Sequence, residues 1–374
     1  MATLRNRRWF RYLSHVCRII FAIVFIFSGF VKAIDPWGTA LNVNNYLAAY
    51  NLEVLKPFVM IFSIWLCGAE LMMGCMLLFK VRIRLISIFA VLSMTFFTIL
   101  TFLSATFIPV EDCGCFGEAI KMTPWQTFAK NLVLYPMALC FWYRYRPDKI
   151  FSFTRLELVL TVFFFTFAMS VGTYSYYHLP LFDFLPYKRG TNIAEEMDKA
   201  RAGQVAEEVV LVYRNRRTGK IKEFSLTDKA WHNDKKWEWV ETRVEENSDS
   251  VEPMILEFYI SDEEGDKTDS LLSTSGRLYM LFVSDFERLD EDIAERMGAV
   301  VRHAAIEDTV ICLTPEPLGE GRTITFAGAP SVKCYNMDAK TMKTILRADF
   351  GLVELEEGVV VEKFNYRDIP YGEQ

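Results

Sequence analysis

The sequence predicts two structurally different halves, an α-helical membrane bundle followed by a soluble α/β domain. The first 180 of the 374 residues carry 16 Lys and Arg against 8 Asp and Glu, whereas the remainder carries 25 against 39. Long apolar runs occur only in the first part, and strand patterns alternate with helix patterns only in the second. This division excludes a single soluble domain, a disordered chain and a nucleic-acid binder, which would need a basic patch in the soluble part.

Five apolar runs in the first half are long enough to cross about 30 Å of hydrocarbon, which takes roughly 20 residues of α-helix. They lie near residues 17–34, 58–79, 85–107, 124–143 and 156–177. The first run could also be a secretory signal peptide, because arginines precede it and Val31-Lys32-Ala33 loosely fits a cleavage site. It is long for that role, and four further runs follow it. We therefore expect a four-helix bundle joined to a fifth transmembrane helix.

Positive charges flank these runs on one side only, which sets the expected orientation. Lys and Arg are concentrated before the first run, after the second and after the fourth, while acidic residues dominate 35–57 and 108–123. We expect the N-terminus in the cytoplasm and the chain after about residue 180 in the periplasm of a bacterium, with the helices in the inner membrane. The predicted boundaries are a bundle over 1–148, a fifth transmembrane helix over 149–180, a linker over 181–205 and a soluble domain over 206–374.

Cys113 and Cys115 form the most reactive motif, in the outer loop Asp112-Cys113-Gly114-Cys115-Phe116-Gly117. Two thiols one residue apart can oxidise together only to a small strained ring, and strain makes such a disulfide labile. Gly114 and Gly117 supply the backbone freedom that this turn demands. The motif favours thiol-disulfide exchange at the membrane surface, with a quinone as an electron acceptor. The alternatives are structural pairing of each cysteine elsewhere and a tight turn without redox chemistry, whereas metal ligation would need further His or Cys, which the loop lacks.

Glu70 is an acidic residue inside an apolar helix, where an unpaired carboxylate would cost a few kcal/mol. It is expected about 20 Å along the second helix from its outer end. It is either a proton-handling or quinone-contacting group or a paired carboxyl that holds helices together. Lys32, Lys130 and Asn131 are the candidate partners, although Lys130 is expected to extend toward the outer surface.

Four motifs of the bundle resemble the DoxX and methylamine-utilisation MauE group of membrane proteins over about residues 15–145. They are Ser28-Gly29-Phe30-Val31-Lys32-Ala33-Ile34-Asp35-Pro36, Glu70 with Gly74, Cys113-Gly114-Cys115-Phe116-Gly117, and Trp125 with Lys130-Asn131. The resemblance implies a four-helix membrane protein associated with thiol, quinone or sulfur redox chemistry and with maturation of disulfide-containing partners. The helical bundle resembles vitamin K epoxide reductase only in its general arrangement, because that family uses CxxC instead of CxC.

The sequence pattern of the second half predicts a hairpin over 207–226, followed by an α/β domain of alternating strands and helices. Strands are expected at 254–260, 278–284, 309–313, 331–336, 351–355 and 359–364, with helices at 287–297 and 338–347. This order resembles a thioredoxin fold of the TlpA or peroxiredoxin type. The sequence departs from that family where its redox site would lie, because Ser284-Asp285-Phe286-Glu287 contains no CxxC. Cys312 and Cys334 are interpreted as buried thiols, as a structural pair, or as a relocated redox pair.

These observations support two hypotheses. The first is a membrane-embedded thiol/disulfide or quinone-linked redox protein that uses Cys113, Cys115 and Glu70, with the thioredoxin-like domain as a docking platform. The second is a non-enzymatic inner-membrane subunit or assembly factor that binds a periplasmic client protein. The expected partners are the lipid bilayer and a periplasmic protein, without nucleic acid. Transport is a weaker interpretation, because the spans hold few ionisable residues.

Overall fold

The computed structural model describes residues 7–107, 114–145, 154–206, 208–217, 219–225, 236–245, 258–304, 308–317, 319 and 321–370. The N-terminal helices are α1 (Arg8–Ile34), α2 (Pro36–Ala49), α3 (Val59–Leu78), α4 (Ile83–Thr106), α5 (Pro124–Tyr145) and α6 (Arg155–Tyr177). A 3₁₀ helix, Glu53–Phe58, leads into α3.

Four helical segments of the described chain are long and apolar enough to cross a membrane. They are Arg8–Ile34, Glu53–Leu78, Ile83–Thr106 and Arg155–Tyr177. The helix α5 corresponds to the predicted span 124–143 but is not among them, since polar residues such as Lys130, Asn131 and Arg144 interrupt its apolar character. The structure therefore supports four apolar spans, and a crossing by 124–143 stays a prediction.

The helix α5 nevertheless extends along the length of α1. Near its end, Tyr145 Oη lies 3.1 Å from His15 Nδ1. Nearer its start, the Lys130 ammonium lies 4.3 Å from the ring centre of Phe116, whose ring is 5.6 Å from that of Phe27. The last turn of α5 thus lies beside the first part of α1, and its first part lies near the second half of α1 through Phe116, as expected of antiparallel neighbours in a bundle.

Helices α1 and α3 approach each other closely through two glycines. A Cβ placed on Gly29 would lie 2.4 Å from the backbone nitrogen of Leu71, and one on Gly74 would lie 2.7 Å from that of Ile26. The backbones can come this close only because these positions have no side chain. This contact brings the polar residues of α1 next to those of α3.

The described part of the second half contains two sheets. A three-stranded antiparallel sheet has the order β2-β1-β3 and consists of β1 (Glu208–Asn215), β2 (Ile221–Ser225) and β3 (Trp237–Glu245). The hairpin between β1 and β2 confirms the pairing predicted for 207–226. The helix α7 (Ile193–Ala206) precedes this sheet.

The larger sheet has the strand order β11-β10-β6-β7-β9-β4-β5, with β8 also paired to β9. Its elements are β4 (Ser261–Asp262), β5 (Gly265–Asp266), α8 (Thr268–Leu272), β6 (Arg277–Val283), α9 (Glu291–His303), β7 (Thr309–Thr314), β8 (Thr323–Ile324), β9 (Val332–Asn336), α10 (Ala339–Leu346), β10 (Phe350–Glu356) and β11 (Val359–Asn365). Strands β6, β7 and β9 are parallel, whereas β10 and β11 run antiparallel to their neighbours.

Most of the predicted elements of this sheet are confirmed. The strands predicted at 278–284, 309–313, 331–336, 351–355 and 359–364 correspond to β6, β7, β9, β10 and β11, and both predicted helices are present. The strand predicted at 254–260 is not: residues 258–260 are not in a strand, and 254–257 lie outside the described residues. A sheet-rich domain is therefore shown, while its thioredoxin type stays a prediction.

Each face of the larger sheet packs against its own hydrophobic core, because successive side chains of a strand point to opposite faces. Met280, Phe282 and Ile311 lie in one core, which α10 also covers. Leu281, Cys312 and Cys334 lie in the other core, together with side chains of α9. The central strands are thus buried on both sides, which explains their continuous apolar sequences.

The segment predicted as a linker packs on this domain. Tyr187 and Ile193 are buried in the core that contains Met280. The backbone amide of Gly190 donates to the carbonyl of Val360 at 2.7 Å, and that of Ile193 donates to the carbonyl of Gly358 at 2.9 Å. Apolar residues of this predicted linker thus add to the domain core.

Candidate functional site

A cavity of about 280 Å³ lies inside the helical region, at the end of α1 that leads into α2. Side chains of α1 to α5 and residues 114–116 line it, and most of them are apolar. The polar lining residues include Ser28, Lys32, Thr39, Glu70, Cys115 and Asn131. Residues from all four motifs of the sequence analysis therefore meet at one cavity.

Glu70 and Lys32 form a buried ion pair at the wall of this cavity. The Glu70 Oε2 atom contacts the Lys32 ammonium and lies 3.2 Å from the Ser28 hydroxyl, which donates to it. Lys32 is therefore the partner of Glu70 among the three candidates. A buried carboxylate is tolerated here because an opposite charge and a hydroxyl compensate for its lost hydration.

Glu70 lies deep along its own helix, α3, but close to the end of the neighbouring helix α1. It is the twelfth of the 20 residues of α3, which agrees with the depth expected from the sequence. Its partner Lys32, however, is the third residue from the end of α1, which places it about 3 Å from that end at 1.5 Å per residue. The two depths differ because the first part of α3 extends beyond the end of α1. There α3 packs against α2 instead, and Cys67 Sγ lies 3.5 Å from Thr39 Oγ1.

Lys130 and Asn131 have other roles in the structure. The Asn131 amide donates to the Thr101 hydroxyl at 3.3 Å and to the carbonyl of Phe97 at 3.4 Å, so it joins α5 to α4. Lys130 is half-buried over the ring of Phe116, which stabilises it by a cation–π contact. Both residues still line the cavity.

Cys115 lies half-buried at the wall of the cavity, whereas Cys113 lies outside the described residues. The carbonyl of Cys115 accepts a hydrogen bond of 2.7 Å from the Ser28 hydroxyl. Ser28 therefore contacts both the cysteine loop and Glu70. The sequence motif marked all three residues, but only the fold shows that one hydroxyl lies between them.

The loop around Cys115 turns through two left-handed glycines. Gly114 has φ +62° and Gly117 has φ +53°, and the Gly117 amide donates to the Gly114 carbonyl at 3.2 Å. A Cβ on Gly114 would also lie 2.5 Å from Asn42 Nδ2 of α2. The expected need for glycine at both positions is confirmed, since L-residues rarely adopt this conformation.

The C-terminal domain contacts the cysteine loop through Arg347, whose side chain is 1% exposed. Its Nε donates to Asp35 Oδ2 at 3.2 Å, its Nη2 to Glu118 Oε1 at 3.1 Å and its Nη1 to the Lys343 carbonyl at 3.1 Å. The planar guanidinium group can bind several acceptors at fixed angles, which suits it to this junction. Sequence reasoning missed Arg347, because nothing in the local pattern marks a surface arginine that becomes buried between domains.

Further contacts join the same two regions. Asp35 also caps α2, since its Oδ1 accepts from the Gly38 amide at 2.8 Å. The Lys343 ammonium lies 4.2 Å from the ring centre of Trp37. At the end of α6, His178 Nδ1 lies 2.7 Å from Asp368 Oδ1. The end of the domain that carries α10 and the last 3₁₀ helix (Tyr366–Asp368) therefore contacts the helical region.

A family model matches the helical region. Residues 10–144 match the family described as Methylamine utilisation protein MauE. The match confirms the MauE part of the resemblance and a membrane protein with several apolar helices, whereas the DoxX part stays a prediction. The same residues form α1 to α5 and all of the described cavity wall.

A curated relative covers a similar share of the chain. Protein TlpB of Flavobacterium psychrophilum is 33% identical over 130 residues, which are 33% of this chain and 34% of that protein. The match thus spans about a third of the length of the curated relative. No solved structure matches the chain.

Proposed function

We propose that the protein is a membrane-embedded thiol/disulfide redox protein that exchanges electrons through Cys113 and Cys115. The observation that carries this proposal is the position of Cys115 at the wall of an apolar cavity that also holds the Lys32–Glu70 pair. Two-electron, two-proton chemistry at a membrane needs a redox-active group, a group that handles protons and an apolar site for the electron acceptor. The cysteine loop, the Glu70 carboxyl and the cavity would supply these three. The match to MauE and the similarity to a protein named TlpB support the same class.

In this proposal, Cys113 and Cys115 lose two protons and two electrons when they oxidise to a disulfide, and regain them on reduction. Glu70, which contacts Lys32 and Ser28, is the proposed proton-handling group. Ser28 holds the loop through the carbonyl of Cys115 and positions the loop beside Glu70.

A quinone is the acceptor class that the residues fit. Its ring and apolar tail suit a mainly apolar cavity of about 280 Å³, which is close to the lower limit of ligand pockets at roughly 300 Å³. The Tyr50 hydroxyl lines this cavity and is buried without a hydrogen-bond partner among the described residues. Tyr50, Lys32 and Asn131 would hold the carbonyl oxygens. A bound quinone would supply a sink for two electrons and two protons.

The proposal places the N-terminus in the cytoplasm and the C-terminal domain in the periplasm, with the helices in the bacterial inner membrane. The flanking positive charges support this orientation. The contacts of Arg347 with Asp35 and Glu118 support it too, because they require the domain and these two loops to share one side of the membrane. A reporter fused after Gln374 should be active only outside the cytoplasm.

The C-terminal domain, proposed to be thioredoxin-like, serves in this scheme as a docking platform for a periplasmic protein. The neighbouring order β11-β10-β6-β7, with α9 between the two parallel strands, supports such a fold. Since the domain lacks CxxC, the thiols that react with the partner would be those of the loop at its membrane side.

Thiol trapping with and without depletion of quinones tests the redox proposal. Cys113 and Cys115 should become reduced when quinones are absent. A Leu100→Trp variant, which fills the cavity, should have the same effect, whereas Ile99→Trp should not, because Ile99 is exposed on the outside of the same helix. A redox state that never changes, together with normal behaviour of the Cys113→Ser, Cys115→Ser double variant, would exclude the proposal.

The second candidate function is a non-enzymatic assembly factor that binds a periplasmic client. The missing CxxC of the C-terminal domain favours it. Crosslinking from the exposed surface of this domain should then capture one specific protein from cells, and the double cysteine variant should capture it equally well. Failure to capture a specific partner would count against this function.

A further inference from the structure

The C-terminal domain contains two cysteines on neighbouring strands, far from CxxC spacing in the sequence. Cys312 of β7 and Cys334 of β9 are direct partners in the register of this parallel pair. Both side chains lie in the core that α9 covers, and they are 0% and 2% exposed. Twenty-one residues lie between them in the sequence, so only the sheet register brings them together.

Their direct partnership in the register is compatible with a disulfide. Neighbouring strands lie about 4.7–4.9 Å apart, and disulfides join Cα atoms about 4.4–6.8 Å apart. The two side chains also point to the same face, since register partners in a sheet do so. Both thiols are free in the structure described here.

The environment of the two thiols is asymmetric. Cys312 lies in β7 between the long strand β6 and β9, whereas Cys334 lies in β9 beside the short strands β4 and β8, and its amide donates to the Arg322 carbonyl at 3.0 Å. Cys334 also lines a cavity of about 120 Å³. The other residues of this cavity are charged or small: Asp262, Glu263, Glu264, Gly321, Arg322 and Lys333.

We propose that Cys312 and Cys334 form a second, reversible dithiol–disulfide site, which reacts with disulfides of low molecular weight such as glutathione disulfide. Cys334 is the attacking thiolate and Cys312 the resolving thiol. Attack by Cys334 breaks the S–S bond of the oxidant and forms a mixed disulfide, with one thiol released. Cys312 then attacks this mixed disulfide, the Cys312–Cys334 bond forms, and a second thiol leaves. The two protein thiols lose two electrons and two protons, and the oxidant gains both.

The charges around the pair support these roles. Interaction with the neighbouring Cys312 thiol lowers the pKa of Cys334, and the Arg322 guanidinium adds to this against the opposing effect of burial. Interaction with Cys334 and burial both raise the pKa of Cys312. Arg322 is held above the Phe286 ring at 4.2 Å. The three carboxylates of the small cavity oppose its effect, but Lys333 and Lys267 already bind Asp262.

The test uses the full-length protein in detergent with Cys113→Ser and Cys115→Ser, so that the loop cysteines do not contribute. After equilibration in glutathione buffers, acid quenching and peptide mass spectrometry should show a Cys312–Cys334 disulfide whose fraction changes reversibly with the glutathione ratio. Cys67, a buried thiol of the helical region, is the control and should stay reduced. Two results would overturn the proposal: no disulfide at any ratio, or a disulfide that is reduced only after unfolding.

Arg322 is a positioning residue in this scheme, and a pH profile tests it without loss of either cysteine. Arg322→Gln should move the alkylation profile of Cys334 to higher pH and slow its reaction at pH 7 severalfold. Arg296→Gln on α9, which removes an exposed arginine paired with Asp292, should leave the profile unchanged. An unchanged profile in Arg322→Gln would contradict the assignment of Cys334 as the thiolate.

Discussion

Arg347 of the C-terminal domain donates from Nε to Oδ2 of Asp35 across 3.2 Å, although 312 positions of sequence separate the two residues. The same guanidinium binds Glu118, which lies three residues after Cys115. One buried cation therefore joins the domain to two loops of the helical region. A movement of the cysteine loop and a movement of the domain would therefore both change the contacts of this one side chain.

Replacement of Arg347 by Met should release the domain from the helical region. Removal of one partner of a buried ion pair costs about 3–5 kcal/mol, because the other charge stays buried without compensation. Hydrogen exchange at residues 35–38, 114–118 and 346–350 should accelerate strongly. Arg288→Met is the matched control, since Arg288 pairs with Asp349 at 3.0 Å but is 59% exposed, and such pairs contribute little. Equal exchange in both variants would show that Arg347 does not hold the interface.

The Lys32–Glu70 pair should show strong coupling in a double-mutant cycle. Lys32→Met and Glu70→Leu alone each leave one buried charge and should lower the melting temperature in detergent markedly. The double variant should be more stable than either single one, because no uncompensated charge remains. The exposed pair Glu53–Lys56 serves as the control and should show almost no coupling. Additive effects at Lys32 and Glu70 would contradict a direct ion pair.

Ser28→Ala should loosen the cysteine loop. The hydroxyl loses its hydrogen bond to the Cys115 carbonyl, which is worth about 1 kcal/mol, and Glu70 loses one of its two partners. We expect faster alkylation of Cys115 under native conditions and no change at Cys140. Ser87→Ala, which removes a buried hydroxyl bonded only within its own helix turn, is a suitable control. Unchanged alkylation of Cys115 would show that Ser28 does not restrain the loop.

Gly114→Ala should disturb the loop more than Gly117→Ala. Both substitutions cost about 1–2 kcal/mol, since an L-residue must then adopt a left-handed conformation. Only at Gly114 would the new methyl group also collide with Asn42, at 2.5 Å from Nδ2, whereas the nearest atom at Gly117 is 3.6 Å away. Gly219→Ala, in a hairpin turn with φ +68° and open space around it, measures the conformational cost alone. Thermal unfolding compares the three variants, and an equal loss at Gly114 and Gly117 would contradict the close contact with Asn42.

Lys363 should make the stability of the C-terminal domain depend on pH in the alkaline range. Burial lowers the pKa of Lys363 below its ordinary value of 10.5, against the opposing attraction of Asp183. Between this lowered pKa and 10.5 the unfolded chain therefore binds more protons at this position than the folded chain, and stability should rise with pH in this interval. Lys363→Met should remove this part of the slope between pH 8 and pH 10 in thermal unfolding. A slope unchanged by the substitution would contradict the lowered pKa.

Local patterns predicted the parts of the fold and the site that depend on local chemistry. The glycines of the cysteine loop, the polar residues Lys32 and Glu70, and most strands of the larger sheet all follow from residue type and spacing. Arg347 could not be predicted, because its role depends on a contact between distant segments. The neighbouring positions of Cys312 and Cys334 likewise depend on the register of two parallel strands that a long connection joins. The periodicity of the sequence does not encode this register.

The long sequence separation between Asp35 and Arg347 implies an order of assembly. Asp35 and Glu118 are synthesised and inserted well before the ribosome reaches residue 347, so their carboxylates must first be hydrated. The buried junction can form only after α10 has folded on its sheet and displaces this water. Completion of the C-terminal domain would then be the last step in maturation of the cysteine loop, and an incomplete chain would keep that loop open to water.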